Sequence, residues 1–193
     1  MFTNAKDHFS TLSGIYLKME ISNKEAKSIQ FNDGFNAAIQ MLFSLKKSMK
    51  KVMLIGNGGS ASIVCHLQTD LINSMQIKAL TFYDASLLTA FSNDYGYQFA
   101  FEKYIHQWAD PDDLLIAISS SGKSENILRA VKEARNKACQ IITFSGFSKE
   151  NPLRSIGDLN FYINSNLYGM VETSHSILAH TLIDIALYDK NRI

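Results

Sequence analysis

The side chains best suited to chemistry begin at Gly56-Asn57-Gly58-Gly59-Ser60-Ala61-Ser62, directly after the apolar run Val52–Ile55. The run has the length and branching of a fully buried strand, and the glycines at 56, 58 and 59 force a sharp turn before a helix expected to start near Ser60. Unpaired backbone N–H groups in the first turn of such a helix, with the positive end of its dipole, form an anion site, most often for phosphate. The Asn57 amide and the Ser60 and Ser62 hydroxyls add donors. Further along the same helix His66 and Asp70 stand at i and i+4, about 6 Å apart along the axis and on one face. A phosphate cradle and a polar His/Asp pair therefore share one helix.

A second stretch, Ile118-Ser-Ser-Ser-Gly-Lys-Ser-Glu-Asn126, also follows an apolar strand and precedes an amphipathic segment (Ile127, Leu128, Ala130, Val131, Ala134). It brings further hydroxyls and backbone N–H groups to the edge of the sheet where ligands of open α/β folds bind. Gly122-Lys123-Ser124 resembles the end of a Walker phosphate loop, but that loop needs a glycine five residues before Gly122, and position 117 is alanine. Gly56-x-Gly58-x-x-Ala61 fits a loose dinucleotide fingerprint, with Asp84 later than the spacing expected of a ribose-binding acid. A dinucleotide leaves the second hydroxyl-rich loop unexplained; a sugar phosphate would use both.

The elements that must position these loops follow from hydrophobic periodicity. Residues 1–50 read as two helices preceding the sheet, with stripes at Leu12, Ile15, Tyr16 and Met19, and at Phe31, Phe35, Ala38, Ile39, Met41, Leu42 and Leu45. Such an arm packs on another subunit or across the sheet. After the central strand, Lys78–Tyr83, Leu114–Ser119, Gln140–Ser145 and Leu159–Ile163 read as strands separated by helical segments, which implies a parallel sheet with helices on both faces. Met170–Tyr188 reads as a long helix with a polar first half (Glu172, Thr173, Ser174, His175, Ser176) and an apolar second half, as expected of a helix lining a site. Pro111 and Pro152 fall where loops are expected, and no repeat or low-complexity tract appears.

Composition narrows the class. With 193 residues, 46% of them hydrophobic and 19% charged, the chain suffices for one buried α/β core, taken as a single domain over 1–193 with N-terminal helices in 1–50 and the core in 51–193. A net charge of +1 with both signs dispersed offers no footprint for nucleic acid or an anionic membrane, so neither partner is expected. Cys65 and Cys139 fall in segments read as buried and show no paired spacing, which suits a reducing cytoplasm. No long apolar run, signal peptide or lipidation motif is visible, and a soluble cytoplasmic protein is expected.

Taken together, Gly56-Asn-Gly-Gly-Ser-Ala-Ser62 with His66, then Ser92-Asn-Asp-Tyr-Gly-Tyr97, then Ile118-Ser-Ser-Ser-Gly-Lys-Ser124, and a terminal helix carrying His180 resemble the sugar isomerase (SIS) domain family, in particular its phosphoheptose isomerases. The resemblance covers nearly the whole chain, and the ordered set of four motifs is far more specific than any one of them. It implies a homotetramer with a helical N-terminal extension and a five-stranded parallel sheet flanked by helices. It also implies interconversion of sedoheptulose 7-phosphate and D-glycero-D-manno-heptose 7-phosphate on the way to lipopolysaccharide or capsule heptoses. Several members bind zinc, so one Zn2+ per subunit and no organic cofactor is the corresponding expectation.

Carried over residue by residue, the resemblance implies that Asn57, Gly58, Gly59 and Ser60 form the substrate loop and that Ser119, Ser120, Ser121 and Ser124 hold the phosphate. Asn93 and Asp94 would meet sugar hydroxyls. Asp70 would be the base and His180 the acid, with His66 and Glu172 completing the polar cluster. Members usually carry glutamate where Asp70 stands, glutamine where Glu172 stands and an acidic residue where Gly169 stands. The first change shortens a carboxylate by one methylene and the second adds a charge.

The implied reaction moves a proton between C1 and C2 through an enediol, which needs a base, a proton donor to oxygen and stabilisation of the enediolate. His66, Asp70, Glu172 and His180 are ligand types that suit zinc. Glu172 and His180 are separated by about 12 Å of rise on one helix, too far to touch one ion. Either Glu172 lies before the regular helix or the two come from different subunits, and the second arrangement is the expectation. Singly, these residues have ordinary roles: an isolated helix histidine is more often a satisfied core residue, Asp70 fits a solvated face, and Glu172 fits a helix start. His8 and His106 are expected at the surface, and His175 either lines the site or serves a cap or subunit contact. The alternative class is a non-catalytic SIS scaffold, like the relative that binds the replication initiator DnaA, or a sugar-phosphate sensor. The scaffold type lacks the carboxylate and terminal histidine that Asp70 and His180 supply here.

Overall fold

The computed structural model describes residues 2–188. Asn4 starts the first helix, α1 (Ala5–Leu17), by accepting the Asp7 N–H on its side chain at 3.0 Å. A short hairpin, β1 (Glu20–Asn23) and β2 (Ser28–Ile29), leads to α2 (Phe31–Ser48). The core then alternates β3 (Lys51–Gly56), α3 (Gly59–Asn73), β4 (Lys78–Thr81), α4 (Ala85–Tyr95), α5 (Ala100–Trp108), β5 (Leu114–Ser119), α6 (Glu125–Asn136), β6 (Gln140–Ser145), β7 (Leu159–Tyr162) and α7 (Tyr168–Tyr188). Two 3-10 turns, Tyr97–Phe99 and Pro152–Ser155, lie in the connections.

The sheet has seven strands in the order β2-β1-β7-β6-β5-β3-β4. Five of them, from β7 to β4, are parallel, as the alternation of strands and helices requires. The other two correct the expectation of five strands and of an N-terminus made only of helices: β1 pairs antiparallel with both β2 and β7. Strands of four and two residues are too short to show an alternating pattern, and what holds them is remote. The buried Asn160 amide donates to the Ser22 and Asn23 carbonyls, and Glu20 pairs with Arg154 and Lys149. Gly34 lets α2 approach this hairpin, because a Cβ there would collide with Ile21.

Alternate residues of the central strands feed two cores. Val52 and Leu54 face α2, α3 and α7, whereas Met53 and Ile55 face α5 and α6, and all four side chains are fully buried. The direction of progression reverses between β3 and β5, since β4 lies outside β3 while β6 and β7 lie outside β5. That reversal is the topological switch point where the carboxyl ends of neighbouring strands open a crevice.

Two further readings change. In α3 the inward positions are Ser60, Val64, Leu67 and Leu71, a spacing that turns Cys65 outward, so this thiol is exposed while Cys139 is buried. In α7 the inward stripe runs through Met170, Val171, Ser174, His175, Leu178, Ala179, Leu182, Ile183 and Ala186. Ser174 and His175 are therefore core residues, and Glu172 and His180 stand off that stripe. Among the described residues, no helix is long and apolar enough to cross a membrane.

Candidate active site

At the switch point a cavity of about 240 Å³ is lined by Asn57, Gly58, Gly59, Ser60, Ser119, Ser120, Ser121, Ser124, Tyr168 and Glu172. β3 and β5 are adjacent, with Gly56 opposite Ile118, so the loops that follow them form facing walls. Three helices begin here: α3 at Gly59, α6 just after Ser124 and α7 at Tyr168. Their free N–H groups and dipole ends converge on a space whose lining contains no lysine or arginine, which makes backbone amides and hydroxyls the natural anion donors.

Each glycine of the first wall has its own reason. Gly58 sits at φ +53°, where a side chain would be strained. A Cβ on Gly56 would lie 2.8 Å from the Ser60 backbone, and one on Gly59 would strike the Glu172 carboxylate. The Tyr83 hydroxyl holds Gly56 from the side, accepting its N–H at 2.8 Å and donating to its carbonyl at 2.7 Å. Burial pushes that phenol well above its usual pKa. In the second wall, Gly122 (φ +62°) packs on the Asn151 side chain, Ser119 Oγ accepts the Gly122 N–H at 3.2 Å, and Ser124 Oγ lies 3.3 Å from Ser119 Oγ. Ser120 Oγ is buried with no hydrogen-bond partner among the described residues, a donor left for a ligand.

A second cluster lies further along the seam between α3 and α7. Asp70 Oδ2 is 3.6 Å from His66 Nε2 and 3.5 Å from His180 Nδ1, and the two imidazole centroids are 5.0 Å apart. One ligand atom from each of the three residues lies within 4.8 Å of the others. The histidines are accessible, with side chains 61% and 50% exposed, and Asp70 is half-buried at 22%. Two imidazoles and one carboxylate at this spacing are a donor set that suits zinc and leaves open coordination positions.

The expected residues thus separate into two groups. The Gly/Ser residues and Asn57 line the cavity together, and His66, Asp70 and His180 meet in one cluster. Glu172 does not join the cluster of its own chain: it lies inside the regular helix α7, on the cavity wall beside Gly59, about 12 Å of rise from His180. Within one chain Asp70 and His180 already face each other, and Glu172 would reach an ion at that pair only from another subunit. Asn93 and Asp94 do not line the cavity; both are exposed on α4, with Asn93 Nδ2 donating to Asp94 Oδ1 at 3.0 Å.

His175 neither lines the cavity nor caps a helix. It is fully buried, its Nε2 donates to the Ser145 carbonyl at 3.2 Å, and burial depresses its pKa to about 4. His106 is exposed, as expected, and pairs with Glu133 at 2.7 Å.

Tyr168, Asn126, Tyr97 and Asn151 are the contributors that sequence reasoning missed. Asn126 ends the second serine stretch and Tyr97 ends the 92–97 motif, but nothing in either stretch shows that both reach Asn57. Tyr168 and Asn151 lie outside the motifs, and only the place of Tyr168 in the cavity lining and the packing of Asn151 on Gly122 single them out.

Comparison with known proteins agrees with this architecture. The SIS domain family matches residues 20–146. A phosphoheptose isomerase of Campylobacter concisus is 35% identical over 181 residues, covering 86% of this chain and 94% of that protein. One of Shewanella denitrificans is 31% identical over 195 residues, covering 95% and 94%. A solved phosphoheptose isomerase structure from Francisella tularensis superposes with a TM-score of 0.81 at 25% identity, covering 94% and 95%. The chain belongs to the SIS domain family, in its phosphoheptose isomerase branch.

Proposed function

We propose that this chain interconverts sedoheptulose 7-phosphate and D-glycero-D-manno-heptose 7-phosphate, with the phosphate in the serine-lined cavity and the reacting carbons at the Asp70–His180 pair. It is an aldose–ketose isomerase, as its relatives named phosphoheptose isomerase imply. The observation that carries the assignment of residues is the layout along α3 and α7. Both helices begin at the cavity and both pass the cluster, so a phosphate held at their N-termini directs the sugar chain along the seam between them.

In this reading the serine hydroxyls and the helix N–H groups hold the phosphoryl oxygens and set the register of the chain. Asp70 takes the proton from C2 of the aldose or C1 of the ketose and returns it to the neighbouring carbon. His180 donates a proton to the carbonyl oxygen as the enediol forms and removes one from the adjacent hydroxyl as it collapses, so one proton is relayed and none is consumed. His66, Asp70 and His180 would hold a zinc ion, whose chemistry when bound is Lewis-acid stabilisation of the enediolate oxygen.

A homotetramer accords with this reading. α4 has no buried residue although it carries Leu87, Phe91 and Tyr95, and a helix with such a composition is normally covered by another surface. Two unpaired cysteines, one of them exposed, accord with a reducing cytoplasm. A scaffold without activity would have no use for an Asp70–His180 pair held at 3.5 Å. Incubating the purified chain with sedoheptulose 7-phosphate, with and without added zinc, tests the assignment. Formation of the aldose supports it, and absence of turnover in both arms rejects it in favour of the scaffold.

A further inference from the structure

Asn57 leaves β3 and Asn126 opens α6, 69 residues later, yet their side-chain amides form a reciprocal pair. Asn57 Nδ2 donates to Asn126 Oδ1 at 2.9 Å, and Asn126 Nδ2 donates to Asn57 Oδ1 at 2.9 Å. The Tyr97 hydroxyl donates to the same Asn57 Oδ1 at 2.7 Å. Asn126 is 3% exposed, and its Oδ1 also accepts the Ile127 N–H at 3.0 Å. Two planar amides matched donor to acceptor define both a distance and a plane, because sliding or twisting either one breaks both bonds.

The pair spans the two walls of the phosphate cavity. The adjacent strands β3 and β5 fix only the bases of the loops, and the amide pair ties them again above the sheet. Tyr97 follows Gly96, which stands at φ +93°, and so anchors the segment after α4 to the same point. Asn57 lines the cavity, whereas Asn126 and Tyr97 do not. With both acceptor positions of its Oδ1 used and its carbonyl taken by the Ser60 and Ala61 N–H groups, Asn57 keeps one side-chain N–H for a ligand.

We propose that Asn126 and Tyr97 are positioning residues, which clamp Asn57 so that the two serine-bearing loops stand at the separation a phosphoryl group requires. The proposal deepens the isomerase reading and rests on its phosphate-binding half. Two measurements on the full chain test it: binding of inorganic phosphate, and the kinetics of sedoheptulose 7-phosphate turnover. Asn126→Ala is expected to weaken phosphate binding and to raise KM by roughly tenfold or more, with kcat moving far less. Asn57→Ala, which also removes the side chain that lines the cavity, should be at least as damaging, and the double variant should be little worse than Asn57→Ala alone, because the pair acts as a unit.

A merely structural role would lower the unfolding midpoint and leave phosphate affinity and KM unchanged; that result, or additivity in the double variant, overturns the proposal. Tyr97→Phe, which deletes one exposed hydroxyl, decides the matter should Asn126→Ala not fold: weakened phosphate binding supports the clamp and unchanged binding rejects it. A wild-type chain that binds phosphate but turns over no heptose phosphate rejects the isomerase reading, and the phosphate arm then judges the clamp by itself. A wild-type chain that binds no phosphate overturns both.

Discussion

Asp70 Oδ2 and His180 Nδ1 stand 3.5 Å apart across the seam of α3 and α7 within a single chain. In the proposed reaction this base and this acid would work within one chain. Asp70→Ala and His180→Ala are each expected to lower kcat by about 100-fold to 10,000-fold, the range of general acid–base contributions. Mixed assemblies of the two variants should recover nothing, because every chain then lacks one partner. The check is the specific activity of co-refolded variants; recovery of a substantial fraction of wild-type activity would place the pair across subunits.

Zinc binding should follow the three-residue cluster. His66, Asp70 and His180 bring one ligand atom each within 4.8 Å, and Glu172 lies on the cavity wall. Calorimetric titration of the chelator-treated protein with zinc should show a site that is lost in His66→Ala and His180→Ala and kept in Glu172→Ala. Loss of the site in Glu172→Ala would return that residue to the ligand set.

Among the described residues, Glu172 is the one carboxylate lining the cavity proposed to hold phosphate, and it sits against the first turn of α3. An anion already at a helix N-terminus opposes the arrival of another. Replacing the carboxylate by its amide is expected to lower KM for the sugar phosphate by roughly threefold to tenfold, a partly solvated charge being worth about 1 kcal/mol. Steady-state kinetics at low salt gives the answer, and a raised KM would mean that Glu172 contacts the substrate favourably.

His175 links stability to pH. Its pKa falls from 6.5 to about 4 in the folded chain, so the unfolded chain takes up the proton first as the pH is lowered. The corresponding stability is complete above about pH 6.5, drains away between 6.5 and 4, and amounts to on the order of 3 kcal/mol. Urea unfolding at several pH values should show wild type losing more stability than His175→Gln across that window. Parallel curves would mean that the imidazole is not buried as described.

Much of this arrangement was legible in the residue order because it depends on short-range patterns. The glycines and serines at 56–60 and 119–124 mark loop-to-helix junctions, the i, i+4 spacing puts His66 beside Asp70, and the five parallel strands show as apolar runs of the right length. The β1–β2 hairpin left no such mark, because two very short strands are held by Asn160 and by the edge of β7, more than 130 residues away. His175 misled for a related reason. Its polar neighbours suggest a solvent-facing half-turn, but the stripe that α7 buries runs directly through it.

The chain's linear order by itself determined which groups were available: two hydroxyl-rich turns at strand ends, a His/Asp pair and a remote histidine, all properties of spacing along one helix or one loop. Only the tertiary structure decided which of them meet. Side-by-side packing of α3 and α7 joins His180 to Asp70 and leaves Glu172 with the serine-lined cavity, and the adjacency of β3 and β5 lets Asn57 clasp Asn126. Contacts between elements far apart in sequence arise from how helices pack over the sheet, a relation that periodicity within a single element cannot encode.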